Sequence, residues 1–223
     1  MKKNFPYVLI ASALIAGIYV ANNMGLYDSD GNNQTAEISA KNSNRIDNHF
    51  KSFLIYPKKN PLKTFNLVDQ DNNLFTNKKF NGYWNFIFSG YTNCPDVCPN
   101  TLNQMVKLYQ KMPEELKSQV HFIFLTVDPE RDSAQHLKAY LDYFDTSFIG
   151  LTGDLSQIDI LIKDLGGVYS INKDEGEFYS VDHSARIFIV NPQAERFGII
   201  DGLVFKQQEQ DQLLDDLSSL ILD

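Results

Sequence analysis

Cys94 and Cys98 are the only cysteines in 223 residues, four positions apart in the stretch Ser89-Gly-Tyr-Thr-Asn-Cys-Pro-Asp-Val-Cys-Pro99. Thiolates are nucleophiles in disulfide exchange and soft ligands for metal ions. Two cysteines cannot build a disulfide framework, and alone they cannot fill a four-ligand zinc site. Their spacing permits a disulfide, since a helical first turn brings the Cα atoms within about 4.4–6.8 Å. So small a loop removes little entropy from the unfolded chain, so the bridge would be a poor staple. Reactive or metal-binding chemistry is the expectation.

The flanking residues say what must position the pair. Tyr83–Phe88 is a dense apolar run, expected as a buried strand. Gly90 and Pro95 mark a loop, and Pro99–Met112 has helical spacing in Leu102, Met105, Val106 and Leu108 or Tyr109. Pro99 is tolerated in a first turn, where N–H groups lack intrahelical partners. The cysteines therefore belong at a helix N-terminus, where dipole and free N–H groups favour thiolate. Further strands are expected at Lys63–Val68, Asn73–Phe75, Val120–Val127, Phe148–Leu151, Phe178–Val181, Arg186–Val190 and Arg196–Ile200. Phe178–Val181 and Arg186–Val190 are expected as an antiparallel pair. Helices are expected over Ser133–Phe144, Asp154–Leu165 (stopped by Gly166-Gly167) and Gln207–Leu222. This succession predicts an α/β fold, a central mixed sheet flanked by helices in a thioredoxin-like layout. Ligands in such sheets gather at the carboxyl ends of the parallel strands.

Charge and composition narrow the partners. The net charge is −8, with 43% hydrophobic and 22% charged residues. These values exclude a wholly disordered chain, a collagen and a coiled coil. A pI near 5.0 and no Lys/Arg-rich run argue against nucleic acid. Lys2 and Lys3 precede an apolar run, Phe5–Ala21, and no charge intervenes before Asp28. As a helix that run covers about 25 Å, and the uncharged flank extends it. A cleaved signal peptide is the rival, but Tyr19 is too bulky for a small-x-small site ending at Ala21. The expectation is a retained transmembrane anchor over 1–27, a flexible Asn/Ser/Asp-rich linker over 28–58, and a soluble domain over 59–223. The paired lysines should stay in the cytoplasm. A single-pass inner-membrane protein with its domain in the periplasm follows, and the cysteines then face an oxidising compartment.

Gly90-Tyr-Thr-Asn-Cys-Pro-Asp-Val-Cys-Pro99 resembles the signature of the Sco/SenC family. Val127-Asp-Pro-Glu-Arg-Asp132 and Val181-Asp-His-Ser184 agree with it, in the family's order. The resemblance covers roughly residues 60–205 and the anchor layout. It implies a membrane-anchored, thioredoxin-like copper protein that helps assemble cytochrome c oxidase. It also implies copper binding by Cys94, Cys98 and His183, with the oxidase subunit carrying the copper centre, and other copper chaperones, as partners. Asn93 departs from the pattern, because many members have His there. That position is not one of the family's three copper ligands. The residue chemistry agrees, since two thiolates and an imidazole suit Cu(I) and also accept Cu(II).

The remaining candidates carry plainer readings. His49 lies in the linker, His121 opens a strand away from the site, and His136 falls off its helix's apolar stripe. Met105 and Met112 are at core spacing. Asp128, at the carboxyl end of its strand, either lies near the site or, the favoured reading, forms a turn before Pro129, and Asp182 either orients His183 or is a plain loop residue. Three functions compete. The first is a copper chaperone that delivers Cu(I)/Cu(II). The second is a thiol–disulfide oxidoreductase that uses Cys94 and Cys98 to reduce the oxidase copper site. The third is a thiol peroxidase, disfavoured because Thr92 is only two residues before Cys94. Metal binding needs His183, and disulfide exchange does not.

Overall fold

The structure is a computed structural model that describes residues 50–173, 179–201 and 210–222. The anchor over 1–27, the linker to residue 49 and His49 lie outside them. No helix among the described residues is long and apolar enough to cross a membrane.

The centre is β4 (Trp84–Gly90), beside β5 (Val120–Thr126) in parallel and β9 (Arg186–Val190) antiparallel. Being central, β4 buries every residue after Trp84. The pleat sends Phe86 and Phe88 to one face, and Ile87 to the other. The same alternation continues in β5, with Phe122 and Phe124 on the first face and Ile123 and Leu125 on the second. Outward from β5 lie β6 (Ile149–Thr152), β2 (Leu67–Asp69) and β3 (Leu74–Phe75). Outward from β9 lie β10 (Glu195–Asp201) and β1 (Leu54–Pro61), which completes a mixed eight-stranded sheet.

Helices cover both faces. On the first face α1 (Val97–Lys111), α3 (Ala134–Asp142) and α5 (Gln210–Leu222) contribute Leu102, Met105, Leu137, Leu213 and Leu217 to the core. A short α2 (Glu114–Lys117) follows α1. On the second face α4 (Leu155–Leu165) buries Ile158, Leu161, Ile162 and Leu165. It ends where Gly166 turns left-handed at φ 81°. Gly167 N then bonds back to the Ile162 carbonyl at 2.9 Å, and Gly166 N to that of Lys163 at 3.1 Å. The mixed sheet between helical layers is the thioredoxin-like arrangement the sequence predicts.

Three elements depart from expectation. Ser180–His183 (β8) does not pair with β9; it pairs with Tyr169–Asn172 (β7) in a separate ribbon. β9 is buried from Ile187 on, and both its edges are taken by β4 and β10. β7 escapes a sequence reading because its residues alternate only between half-buried and exposed. β1 lies partly within the segment read as linker, and its polar Lys58-Lys59-Asn60 gives no strand signal.

The segment just before that first strand is pinned from across the sequence. The buried Asp216 carboxylate accepts from Lys51 N at 2.8 Å, Ser52 N at 2.9 Å and Ser52 Oγ at 2.6 Å. Burial alone would raise its pKa, but these donors and Gln212 hold it below the ordinary carboxylate range. A depressed acid stabilises the fold above its unfolded pKa, near 3.9, and that contribution disappears as pH falls through the folded value. Asp216→Ala should therefore cost about 2 kcal/mol at pH 7, read by urea unfolding. The difference from wild type should shrink as pH drops below about 4. An equal loss at pH 7 and pH 3 would refute this account.

Candidate metal centre

The cysteines sit where β4 ends and α1 begins. Gly90 closes β4, and its carbonyl accepts from Val127 N at 2.9 Å, which ties the loop after β5 to the loop before Cys94. Tyr91 O accepts from Cys94 N at 3.2 Å. Cys98 lies in the first turn of α1, after Asp96 and Val97. A Cβ on Gly90 would stand 2.7 Å from Cys98 Sγ and 2.9 Å from the Phe124 ring. Only glycine leaves the sulfur this room.

The buried Asp132 braces the approach. It accepts from Thr92 N at 3.0 Å, Thr92 Oγ1 at 2.5 Å and Thr126 Oγ1 at 2.6 Å. Burial raises its pKa, although these donors pull the other way.

His183, the last residue of β8, brings the third group. Its Nε2 is 3.3 Å from Cys98 Sγ, while Nδ1 lies 3.3 Å from the Ser184 carbonyl. A proton on Nδ1, pointing at that carbonyl, leaves the Nε2 lone pair facing the sulfurs. Burial lowers the imidazole's pKa, so it is neutral at pH 7 and able to bind metal. Cys98 N–H donates to Cys94 Sγ at 3.4 Å. Two sulfurs and one nitrogen thus lie within 4.8 Å of one another.

The two thiols differ. Cys94 is half-buried and touches the cores of both faces, whereas Cys98 has 0% exposure. The expected thiolate bias of a helix N-terminus does not hold for Cys98, because burial pushes its thiol well up. The helix N–H instead serves the Cys94 sulfur. An ion bound at both sulfurs would displace the Cys98 proton and replace lost hydration with a soft bond. Two thiolates and one imidazole in a mostly buried corner fit copper better than zinc, which would want a fourth ligand.

Other candidates fall outside the cluster. Met105 and Met112 are buried in the first-face core, as expected. His121 is half-buried, stacked on Tyr83 at 3.9 Å and bonded to Asn85 at 3.2 Å. His136 is exposed, its Nε2 3.4 Å from Thr92 Oγ1. Asp182 accepts from Asn172 at 3.0 Å, so the Ser184 carbonyl, not Asp182, meets the His183 ring nitrogen. Asp128 is more than a turn residue, since it is buried and bonded to Arg131 and Tyr179. The roles of Arg131, Asp132 and Gly90 escape the sequence reading. They lie in the quoted motifs, but no spacing rule reveals a brace or a close approach.

Comparison with known proteins agrees with copper as the metal. The SCO1/SenC family model matches residues 56–222. A Stutzerimonas stutzeri protein named for copper binding is 38% identical over 169 residues, which is 73% of this chain and 81% of that one. The mitochondrial protein SCO1 homolog 2 of Arabidopsis thaliana is 34% identical over 131 residues, 59% of this chain and 48% of that protein. The chain thus spans about half that plant protein's length. The structure of Bradyrhizobium japonicum ScoI with copper bound superposes with a TM-score of 0.64 at 31% identity, covering 72% of this chain and 99% of that one. With the Cys94, Cys98 and His183 cluster at the sheet's end and the match running from β1 to the last helix, the chain belongs to the SCO1/SenC family.

Proposed function

We propose that this protein is a membrane-anchored copper chaperone. It binds Cu(I) and Cu(II) through Cys94, Cys98 and His183, and delivers the ion to the copper centre of cytochrome c oxidase. The observation that carries this reading is the convergence of two sulfurs and Nε2 within 4.8 Å. Family membership supports the copper and the oxidase partner. The test is anaerobic Cu(I) titration of the reduced, detergent-solubilised full chain against Cys94→Ser/Cys98→Ser. One tight equivalent in the wild type and none in the variant is expected; equal uptake by both would refute it.

The anchor reading predicts that protease added to spheroplasts degrades a tag at the C-terminus. A protected tag would refute the periplasmic topology.

The unequal thiols favour a second reading, disulfide exchange. The half-buried Cys94 can attack a partner disulfide, forming a mixed disulfide and releasing one partner thiolate. The buried Cys98 then attacks Cys94 Sγ and releases the second, leaving the partner reduced and this pair oxidised. His183 has no part in those steps, so His183→Ala separates the two readings.

A further inference from the structure

His183 is the member of the cluster least secured by the main sheet. Its strand pairs only with β7, and a two-stranded ribbon is marginal alone. Something must hold the ribbon against the loop that carries Cys94.

Val181 of β8 is buried in the second-face core, and a further holding point is Tyr179, four residues before His183. The Arg131 guanidinium lies over its ring, 3.8 Å from the centroid. Arg131 Nη1 donates to the Tyr179 carbonyl at 3.1 Å, and the Tyr179 hydroxyl donates to Asp128 Oδ1 at 2.7 Å. Asp128 in turn pairs with Arg131 Nε. Stacking, a carbonyl bond and a hydroxyl bond thus converge on one residue from a single loop, Val127–Asp132, which leaves the central strand β5. Arg131 also reaches towards Tyr91, 5.4 Å from its ring, and the Tyr91 ring meets the His183 imidazole edge-on at 6.1 Å. Tyr91 O is the acceptor for Cys94 N. The guanidinium therefore stands between the segment that carries the thiols and the one that carries the imidazole. Its Nη2 is buried with no hydrogen-bond partner among the described residues.

We propose that Arg131 is a positioning residue for the metal centre: through Asp128 and Tyr179 it fixes the β7–β8 ribbon so that His183 Nε2 stays within ligand reach of Cys98 Sγ. The inference rests on the copper reading above. Without the clamp both thiols remain in place, but the imidazole no longer has a fixed station. Cu(II), which draws most on the imidazole, is then affected more than Cu(I), which the two thiolates can hold.

The test compares Arg131→Met, Arg131→Lys and His183→Ala in the full chain, with far-ultraviolet circular dichroism as the folding control. Arg131→Met should lower Cu(II) affinity about 10–100-fold, the range for an outer partner of a ligand. Its sulfur-to-Cu(II) bands should shift towards those of His183→Ala, while Cu(I) affinity and disulfide formation stay near wild type. Arg131→Lys keeps the charge without the planar fork and should fall between. If Arg131→Met keeps the wild-type bands while His183→Ala loses them, the clamp is refuted and the copper reading stands. Equal losses of Cu(I) and Cu(II) affinity would also refute it, because that is general damage. Wild-type bands in His183→Ala would refute the clamp and the three-ligand reading together. Should Arg131→Met not fold, Tyr179→Phe, which loses only the tie to Asp128, carries the same expectation at smaller amplitude and the same refuting results.

Discussion

Replacing Cys94 or Cys98 with serine should lower Cu(I) affinity by more than about 100-fold, beyond what loss of an outer partner costs. His183→Ala should lower Cu(I) affinity far less and should shift or erase the sulfur-to-Cu(II) charge-transfer bands. The difference follows from donor softness. Thiolate suits Cu(I), a serine hydroxyl does not, and imidazole suits the borderline Cu(II) ion. Burial adds a proton count. The Cys98 thiol is held protonated by its surroundings, so each ion bound there must release that proton. Copper affinity should therefore rise with pH across the neutral range. Burial also lowers the pKa of His183, so protonation of the imidazole weakens binding only at lower pH than for an exposed histidine. Metal titration followed by proton release at two pH values checks both statements. Unchanged Cu(II) bands in His183→Ala would leave only the two thiols and favour the oxidoreductase reading. Unchanged Cu(I) affinity in Cys98→Ser would remove the copper reading altogether.

The parts of this centre legible in the sequence are those with a local rule behind them. Gly90, Pro95 and Pro99 punctuate a loop entering a helix, and α1 buries Cys98, Leu102, Met105 and Leu108 at the expected period. The dense runs of β4, β5 and β9 were legible because buried strands are apolar throughout. β7 and β1 were not, because a half-exposed ribbon and an edge strand have no such run. The proposal of His183 as a ligand rests on family resemblance, since no periodicity separates a ligand from a surface histidine. The helix-dipole argument failed for Cys98 because it counts N–H groups near the sulfur but not the water removed around it. Burial depends on Phe124 and α3, which are distant in sequence and invisible to a local rule. Arg131 escaped for a related reason. Its partner Tyr179 is 48 residues away, and cross-ribbon stacking leaves no mark on spacing.

Asp132 offers a test of how far the thiol-bearing loop depends on one buried carboxylate. Asp132→Ala should destabilise the protein by about 3 kcal/mol or more, because Thr92 N–H and the Thr92 and Thr126 hydroxyls lose a common buried acceptor. Asp132→Asn should cost less than about 1 kcal/mol. The amide oxygen can take the place of Oδ2 and accept from Thr92 N and Thr126 Oγ1. The amide nitrogen can donate to Thr92 Oγ1, whose hydroxyl then turns to His136 Nε2 at 3.4 Å. The pH dependence has the opposite sign to that of Asp216. Burial raises the Asp132 pKa in the folded state. The folded protein therefore holds this proton more firmly than the unfolded chain, and stability falls as pH rises from the ordinary carboxylate value to the raised one. Asparagine has no proton to lose, so Asp132→Asn should gain on wild type across that window. Urea unfolding of wild type and both variants from pH 4 to pH 8 reads this directly. A loss in Asp132→Asn as large as in Asp132→Ala would mean that the charge itself, rather than the acceptor geometry, holds Thr92 and with it the Cys94 loop.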